Sequence, residues 1–213
     1  MRSLRWLAVC AILVPAVSSA QTNRGFRNSW FWGVKGGITS FSTETVDNAT
    51  APSVGAEWLI TRNRFGLYIA GDYHFFDEMS VVAGMNGQPE PVAVSDMKRI
   101  TLAALVFPKA FGTVRPYAGA GFAVNLINDA TPTRQFGPGE ELEASFLAQE
   151  LADRKDRSSV LFMGGVQGQL ARVVPFAQVT VQPWTSNFLL NGRAGVIAEA
   201  GIRYNFGNAI DRQ

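Results

Sequence analysis

His74 is the single histidine of the chain, and it follows Asp72 by two residues. In an extended segment that spacing puts both side chains on one face, where the carboxylate can orient the imidazole as a general base. A lipid hydrolase or acyltransferase built on this pair also needs a positioned nucleophile. The serines beside this segment, Ser80 and Ser95, fall in or next to a predicted loop, and no G-x-S-x-G elbow occurs. The pair therefore reads as a hydrogen-bonded structural element, and no catalytic residue is expected. Metal chemistry finds no H-x-x-x-H, cysteine cluster or calcium loop to support it. The run Gly33-Val34-Lys35-Gly36-Gly37 lacks the lysine-serine/threonine ending of a phosphate loop and sits inside a predicted strand. No metal or cofactor is expected, and the chain does not read as an enzyme.

The remaining charges with a clear pattern are Lys35, Glu57, Asp72, Arg99, Glu199 and Arg203. Each falls on the polar side of a segment that alternates at period two. A Lys or Arg turned toward lipid at mid-bilayer costs about 2–4 kcal/mol, so in a membrane these faces must look inward. The expectation is an interior network in which these six, with His74 and the amides of Gln167, Gln169 and Gln178, neutralise and hydrogen-bond one another.

Eight segments carry that alternation, at about residues 30–40, 53–61, 65–75, 95–107, 115–126, 159–170, 174–182 and 193–206. In the third, Phe65, Leu67, Ile69, Tyr73 and Phe75 oppose Gly66, Tyr68, Asp72 and His74. The fourth is apolar on both faces in its lower half, which weakens the alternation there. Period-two patterning marks strands with one apolar face. The spacers alternate in length. Those at 62–64, 108–114 and 172–173 are short; those at 41–52, 76–94, 127–158 and 183–192 are long. An even number of strands, short turns at one end and longer loops at the other is the plan of an outer-membrane barrel, turns toward the periplasm. The stretch 140–157, rich in Glu, Ala and Leu, suits a short outer helix and a polar loop equally.

Aromatic residues sort by height in this plan. Trp30, Phe31, Trp32, Trp58, Phe65, Phe107, Tyr117, Tyr204 and Phe206 fall near the turn end; Phe75, Phe76, Trp184 and Phe188 fall near the loop end. Rings gathered at both membrane interfaces form the girdles of such barrels.

The ends and composition agree with export. Arg2 and Arg5 precede an apolar run from Trp6 to Val17, and Ser18-Ser19-Ala20 offers a small-x-small cleavage site. That run is too short to cross a bilayer as a helix. Residues 1–20 are predicted to be a removed signal, 21–28 a periplasmic lead, 29–207 the barrel and 208–213 a tail. Cys10, the only cysteine, leaves with the signal, so no disulfide or thiolate site is expected. Without Arg2 and Arg5, 17 basic residues balance 17 acidic ones, and no basic stripe suggests nucleic acid.

The signal, the eight alternating segments and the closing Gly201-Ile202-Arg203-Tyr204-Asn205-Phe206 resemble the small bacterial outer-membrane β-barrel proteins, including the transmembrane domain of the OmpA type. The resemblance implies an all-β, eight-stranded antiparallel transmembrane up-and-down barrel in the bacterial outer membrane. In that group the last strand ends on an aromatic read by the barrel-assembly machinery; Phe206 takes that place, although Gly207 to Gln213 follow it. The expected partners are membrane lipids, lipopolysaccharide and that machinery, with the barrel acting as a monomer. Its expected role is envelope integrity, adhesion or recognition through the outer loops, rather than a large pore. Two alternatives are a soluble lipocalin-like barrel, its apolar face turned inward on a ligand, and a lipid-modifying enzyme using His74.

Overall fold

The computed structural model describes residues 26, 28–43, 45–47, 49–183, 188–190 and 194–208. The predicted signal, nearly all of the lead, the tail beyond Asn208, and both Trp184 and Arg193 lie outside them. Eight strands follow one another in chain order: β1 Ser29–Phe41, β2 Ala49–Arg62, β3 Phe65–Ala83, β4 Pro89–Val106, β5 Val114–Pro132, β6 Asp156–Gly168, β7 Val173–Pro183 and β8 Ala194–Asn208. One helix, α1 (Glu141–Lys155), lies between β5 and β6. Every strand pairs antiparallel with its neighbours, and β8 closes on β1 through pairs such as Trp32 with Tyr204 and Val34 with Ile202. The fold is a closed up-and-down barrel.

Burial along each strand follows the alternation of the sequence and decides its sense. Val34, Ile100 and Phe122 are 68%, 55% and 64% exposed on the outer wall, whereas Arg99 and Arg203 are 2% and 0% exposed inside. A lipocalin has the opposite sense, apolar inside. An outer wall of this kind suits hydrocarbon, and closure pairs the backbone groups that hydrocarbon cannot. Among the described residues no helix is long and apolar enough to cross a membrane.

The lumen is filled in layers, and only the middle one is charged. At the turn end Phe26, Phe31, Leu59, Leu105, Phe107 and Leu161 belong to one buried apolar cluster. This layer explains why the lower half of β4 is apolar on both faces: Ala103 and Leu105 point into the plug while Leu102, Ala104 and Val106 point out. Toward the loops a second apolar cluster joins Phe41, Val82, Val94, Met97, Ile127 and Phe188 to Leu147 and Leu151 of α1. Ser80 donates to the Leu189 carbonyl at 2.8 Å, tying the β7–β8 loop across this mouth.

The structure decides two points about the loops. The spacer at 76–94 is mostly strand, because β3 and β4 continue as a hairpin connected only by residues 84–88. The cause of the misreading is a bulge in which Phe75 and Phe76 face the single residue Asp96. Tyr73 donates its hydroxyl to the Asp96 carboxylate at 2.7 Å, and the Phe76 N–H reaches its other oxygen at 3.3 Å. Across Asp96 the inward positions of β4 switch from odd (Met97, Arg99) to even (Val94, Val92), which breaks the alternation that marks a strand. The second point is that, of the helix and the loop left open for 140–157, 141–155 is a helix. Arg134 pins its start, pairing with Glu90, Glu140 and Glu143 at 3.2, 3.3 and 2.8 Å.

Candidate functional site

The register brings side chains from all eight strands into the middle of the lumen. Lys35 comes from β1, Glu57 from β2, Tyr68 and Asp72 from β3, Arg99 from β4, Tyr117 from β5, Gln167 from β6, Gln178 from β7, and Glu199 and Arg203 from β8. All are buried. Three cations meet three carboxylates, so the layer is neutral.

Four of these charges form a closed square. Lys35 Nζ lies 2.7 Å from Asp72 and 2.9 Å from Glu199; Arg99 Nη2 lies 2.7 Å from Asp72 and 3.4 Å from Glu199. The remaining two, Arg203 and Glu57, form their own ion pair. Arg203 also donates to Gln167 Oε1 at 2.6 Å, and its guanidinium lies 3.9 Å over the Phe176 ring. Tyr68 joins the two groups. Its hydroxyl accepts from Lys35 Nζ at 3.0 Å and Gln178 Nε2 at 3.1 Å and donates to Glu57 Oε2 at 3.0 Å. Gln178 then donates to Glu199 at 2.8 Å and accepts from Tyr117 at 2.8 Å. Buried charges are tolerated when paired and hydrogen-bonded in this way. Glycines make the room: a Cβ on Gly55 would stand 2.1 Å from Asp72 Oδ1, and one on Gly165 2.7 Å from the Tyr117 ring.

The structure brings together Lys35, Glu57, Asp72, Arg99, Gln167, Gln178, Glu199 and Arg203. Gln169 does not join them. It lies past the end of β6, half-buried in the turn to β7, with its backbone N–H on the Thr113 carbonyl. His74 is buried on the loop side of Asp72 along β3, with Nδ1 2.7 Å from the Thr39 hydroxyl. Tyr68 and Tyr117 are the members sequence reading overlooked. Tyr68 shares the face of Asp72 along β3 and Tyr117 that of the buried Asn125 along β5, so parity along the strand was the available signal.

The rings divide the same way. Trp30, Trp32, Trp58, Phe65, Phe75, Tyr204 and Phe206 lie on the outer wall, where Trp32 stacks on Trp58 at 5.4 Å and Trp30 meets it edge-on at 5.2 Å. Tyr117, Phe31 and Phe107 are buried inside and belong to no girdle. Height sorted them correctly, but their parity places them in the lumen. Phe188 is likewise buried, and Phe76 half-buried, in the cluster that closes the loop end.

No family model and no curated protein matches the sequence. Solved structures do match in fold. The Neisserial surface protein A superimposes with a TM-score of 0.55 at 13% identity, over 83% of this chain and 97% of that one. The N-terminal β-barrel domain of Pseudomonas aeruginosa OprF gives 0.51 at 14%, over 84% and 98%. Ail, the attachment invasion locus protein of Yersinia pestis, in complex with the heparin analogue sucrose octasulfate, gives 0.50 at 14%, over 84% and 99%. A lumen with an ion-paired middle, an apolar outer wall and eight closed strands are thus accompanied by likeness, over more than four fifths of the chain, to barrels of one kind: this chain has the OmpA-type fold of the small outer-membrane β-barrel proteins.

Proposed function

We propose that the chain is an integral protein of the bacterial outer membrane, exported by its signal and inserted by the barrel-assembly machinery. There it works as a monomeric anchor, among phospholipid and lipopolysaccharide, that displays structured loops for adhesion, recognition or envelope integrity. The observation that carries this reading is the filled lumen. A neutral ion network lies between two apolar plugs, so the interior serves as a scaffold and the outer end as the presented surface. An eight-stranded interior has room for packed side chains or one small ligand, and here buried side chains occupy it, which suits neither a large pore nor an enclosed ligand. Ser80 gives its hydroxyl to the Leu189 carbonyl and His74 Nδ1 takes the Thr39 hydroxyl, which favours a non-enzymatic role. That Ail is an attachment protein of the same fold supports a role for the loops.

The test is expression with the native leader, followed by fractionation and unboiled gel electrophoresis. The protein is expected in the carbonate-resistant outer-membrane fraction, with faster migration before boiling than after, and with no steady single-channel currents in planar bilayers. Recovery from the periplasm or medium would refute the membrane assignment. Uniform channel currents would refute the closed lumen.

A further inference from the structure

The two ends of the barrel carry opposite charge. Toward the loop end the described residues outside the lumen network hold 12 carboxylates, from Asp47 to Asp156, against five cations, Lys98, Arg134, Arg154, Lys155 and Arg157. The turn end is the reverse. Arg62 and Arg64 flank the β2–β3 turn, Lys109 lies in the β4–β5 turn, and Arg172 in the β6–β7 turn, all exposed. Arg115 adds a fifth cation, committed to the Phe26 ring at 4.0 Å. Among the described residues, no exposed carboxylate shares that end.

These cations stand at a defined depth. Phe65, directly after Arg64, is 64% exposed; Phe111, two residues after Lys109, is 73% exposed; and Leu170, two before Arg172, is 47% exposed. Long cationic side chains interleaved with exposed apolar ones at the edge of a hydrocarbon-facing wall occupy the headgroup layer. Guanidinium forks match phosphate oxygens bidentately, and a basic cluster at a bilayer surface is attracted to anionic lipid. Among the described residues nothing at this end supplies a counter-charge, which a headgroup phosphate can.

We propose that Arg62, Arg64, Lys109 and Arg172 form a collar that recruits anionic phospholipid headgroups in the leaflet at the turn end. This rests on the membrane-spanning reading above, and it adds a lipid preference that the fold alone does not imply.

Trp30, Trp32 and Trp58 lie on the outer wall toward the same end and serve as built-in reporters. The full chain is refolded into phosphatidylcholine vesicles in which a minor fraction of lipid is phosphatidylglycerol with brominated chains or, in parallel, phosphatidylcholine with the same chains. The brominated anionic lipid is expected to quench tryptophan about twofold more strongly than its neutral counterpart. The excess is expected to vanish in the combined R62Q, R64Q, K109Q and R172Q variant and to persist in the variant carrying R62K, R64K and R172K. Unboiled gel migration identical to the parent establishes that both variants are folded. Equal quenching by the two lipids in the parent chain overturns the collar. So does a loss of the excess in inorganic phosphate beyond that in chloride of matched ionic strength, which would assign the cations to free phosphate. Absence of quenching by either lipid would instead contradict the membrane-spanning reading.

Discussion

Arg203 of the last strand and Glu57 of the second are ion-paired inside the lumen, 146 residues apart in sequence and fully removed from solvent. Only closure of β8 onto β1 brings them together, so their pairing reports on the completed barrel. Breaking such a pair leaves an uncompensated buried charge. Glu57→Gln is expected to destabilise the folded barrel by about 3–5 kcal/mol, and Glu57→Leu combined with Arg203→Met to recover most of that loss. Urea unfolding in lipid vesicles, followed by tryptophan fluorescence, checks both. A single variant as stable as the parent would mean that the pair does not form.

Neighbouring glycines on opposite walls should respond differently. The Cβ of Gly55→Ala would collide with Asp72 Oδ1 at 2.1 Å and the Gly71 carbonyl at 2.8 Å, whereas a Cβ on Gly71 meets nothing within 4 Å. Overpacking at Gly55 is expected to cost about 1–3 kcal/mol. Gly71→Ala is expected to change stability by less than about 0.5 kcal/mol. The same unfolding assay separates them, and equal effects would contradict the inward and outward assignments.

Ala171 holds a left-handed backbone, φ 57°, in the β6–β7 turn. Left-handed conformations cost a side chain about 1–2 kcal/mol, partly offset in glycine by its greater unfolded-state freedom. Ala171→Gly is therefore expected to raise stability by about 0.5 kcal/mol. A decrease would mean that this turn is not left-handed at that residue.

The apolar cover at the loop end should open without unfolding the barrel. Leu151 is buried against the loop-end cluster, and Leu151→Asp is expected to expose 133–155 to protease while heat-modified migration stays unchanged. The anchor of α1 adds a pH dependence. Glu140 is held below its ordinary 4.5, chiefly by the Gly137 N–H it accepts and then by Arg134. A carboxylate depressed in the folded state contributes its anchoring above the ordinary value and loses it as pH falls through the folded one. Cleavage of this segment by an acid-tolerant protease is expected to accelerate as pH falls below the ordinary 4.5 in the parent chain, and Glu140→Gln to remove that acceleration. A pH-independent rate in the parent would contradict the anchor.

Much of this architecture was legible because an apolar outer wall and a charged interior impose a strict period of two. Lys35, Glu57, Asp72, Arg99, Glu199 and Arg203 could be grouped by parity alone. Two kinds of feature escaped. The continuation of β3 and β4 was hidden because the bulge opposite Asp96 shifts the inward face of β4 by one residue, so the repeat is interrupted where the strands continue. Tyr117, Phe31 and Phe107 were sorted by height when parity places them in the lumen. The apolar layers at both ends explain why large rings are found there: the mouths of the lumen are filled by the same residue types that make up the outer wall. Which ions pair depends on register across the barrel, and alternation within a strand carries no such information.

Each of these points depends on which wall faces lipid. The direct measurement is carbene footprinting of the unmodified protein in vesicles, using a diazirine reagent dissolved in the bilayer and mapped by mass spectrometry. Leu102 and Thr101 are consecutive on β4, 52% and 2% exposed. Insertion is expected at Leu102 and on Ile100 and Phe122 around it, with none at Thr101 or Arg99. Label on Thr101 and Arg99 with Leu102 spared would contradict the account.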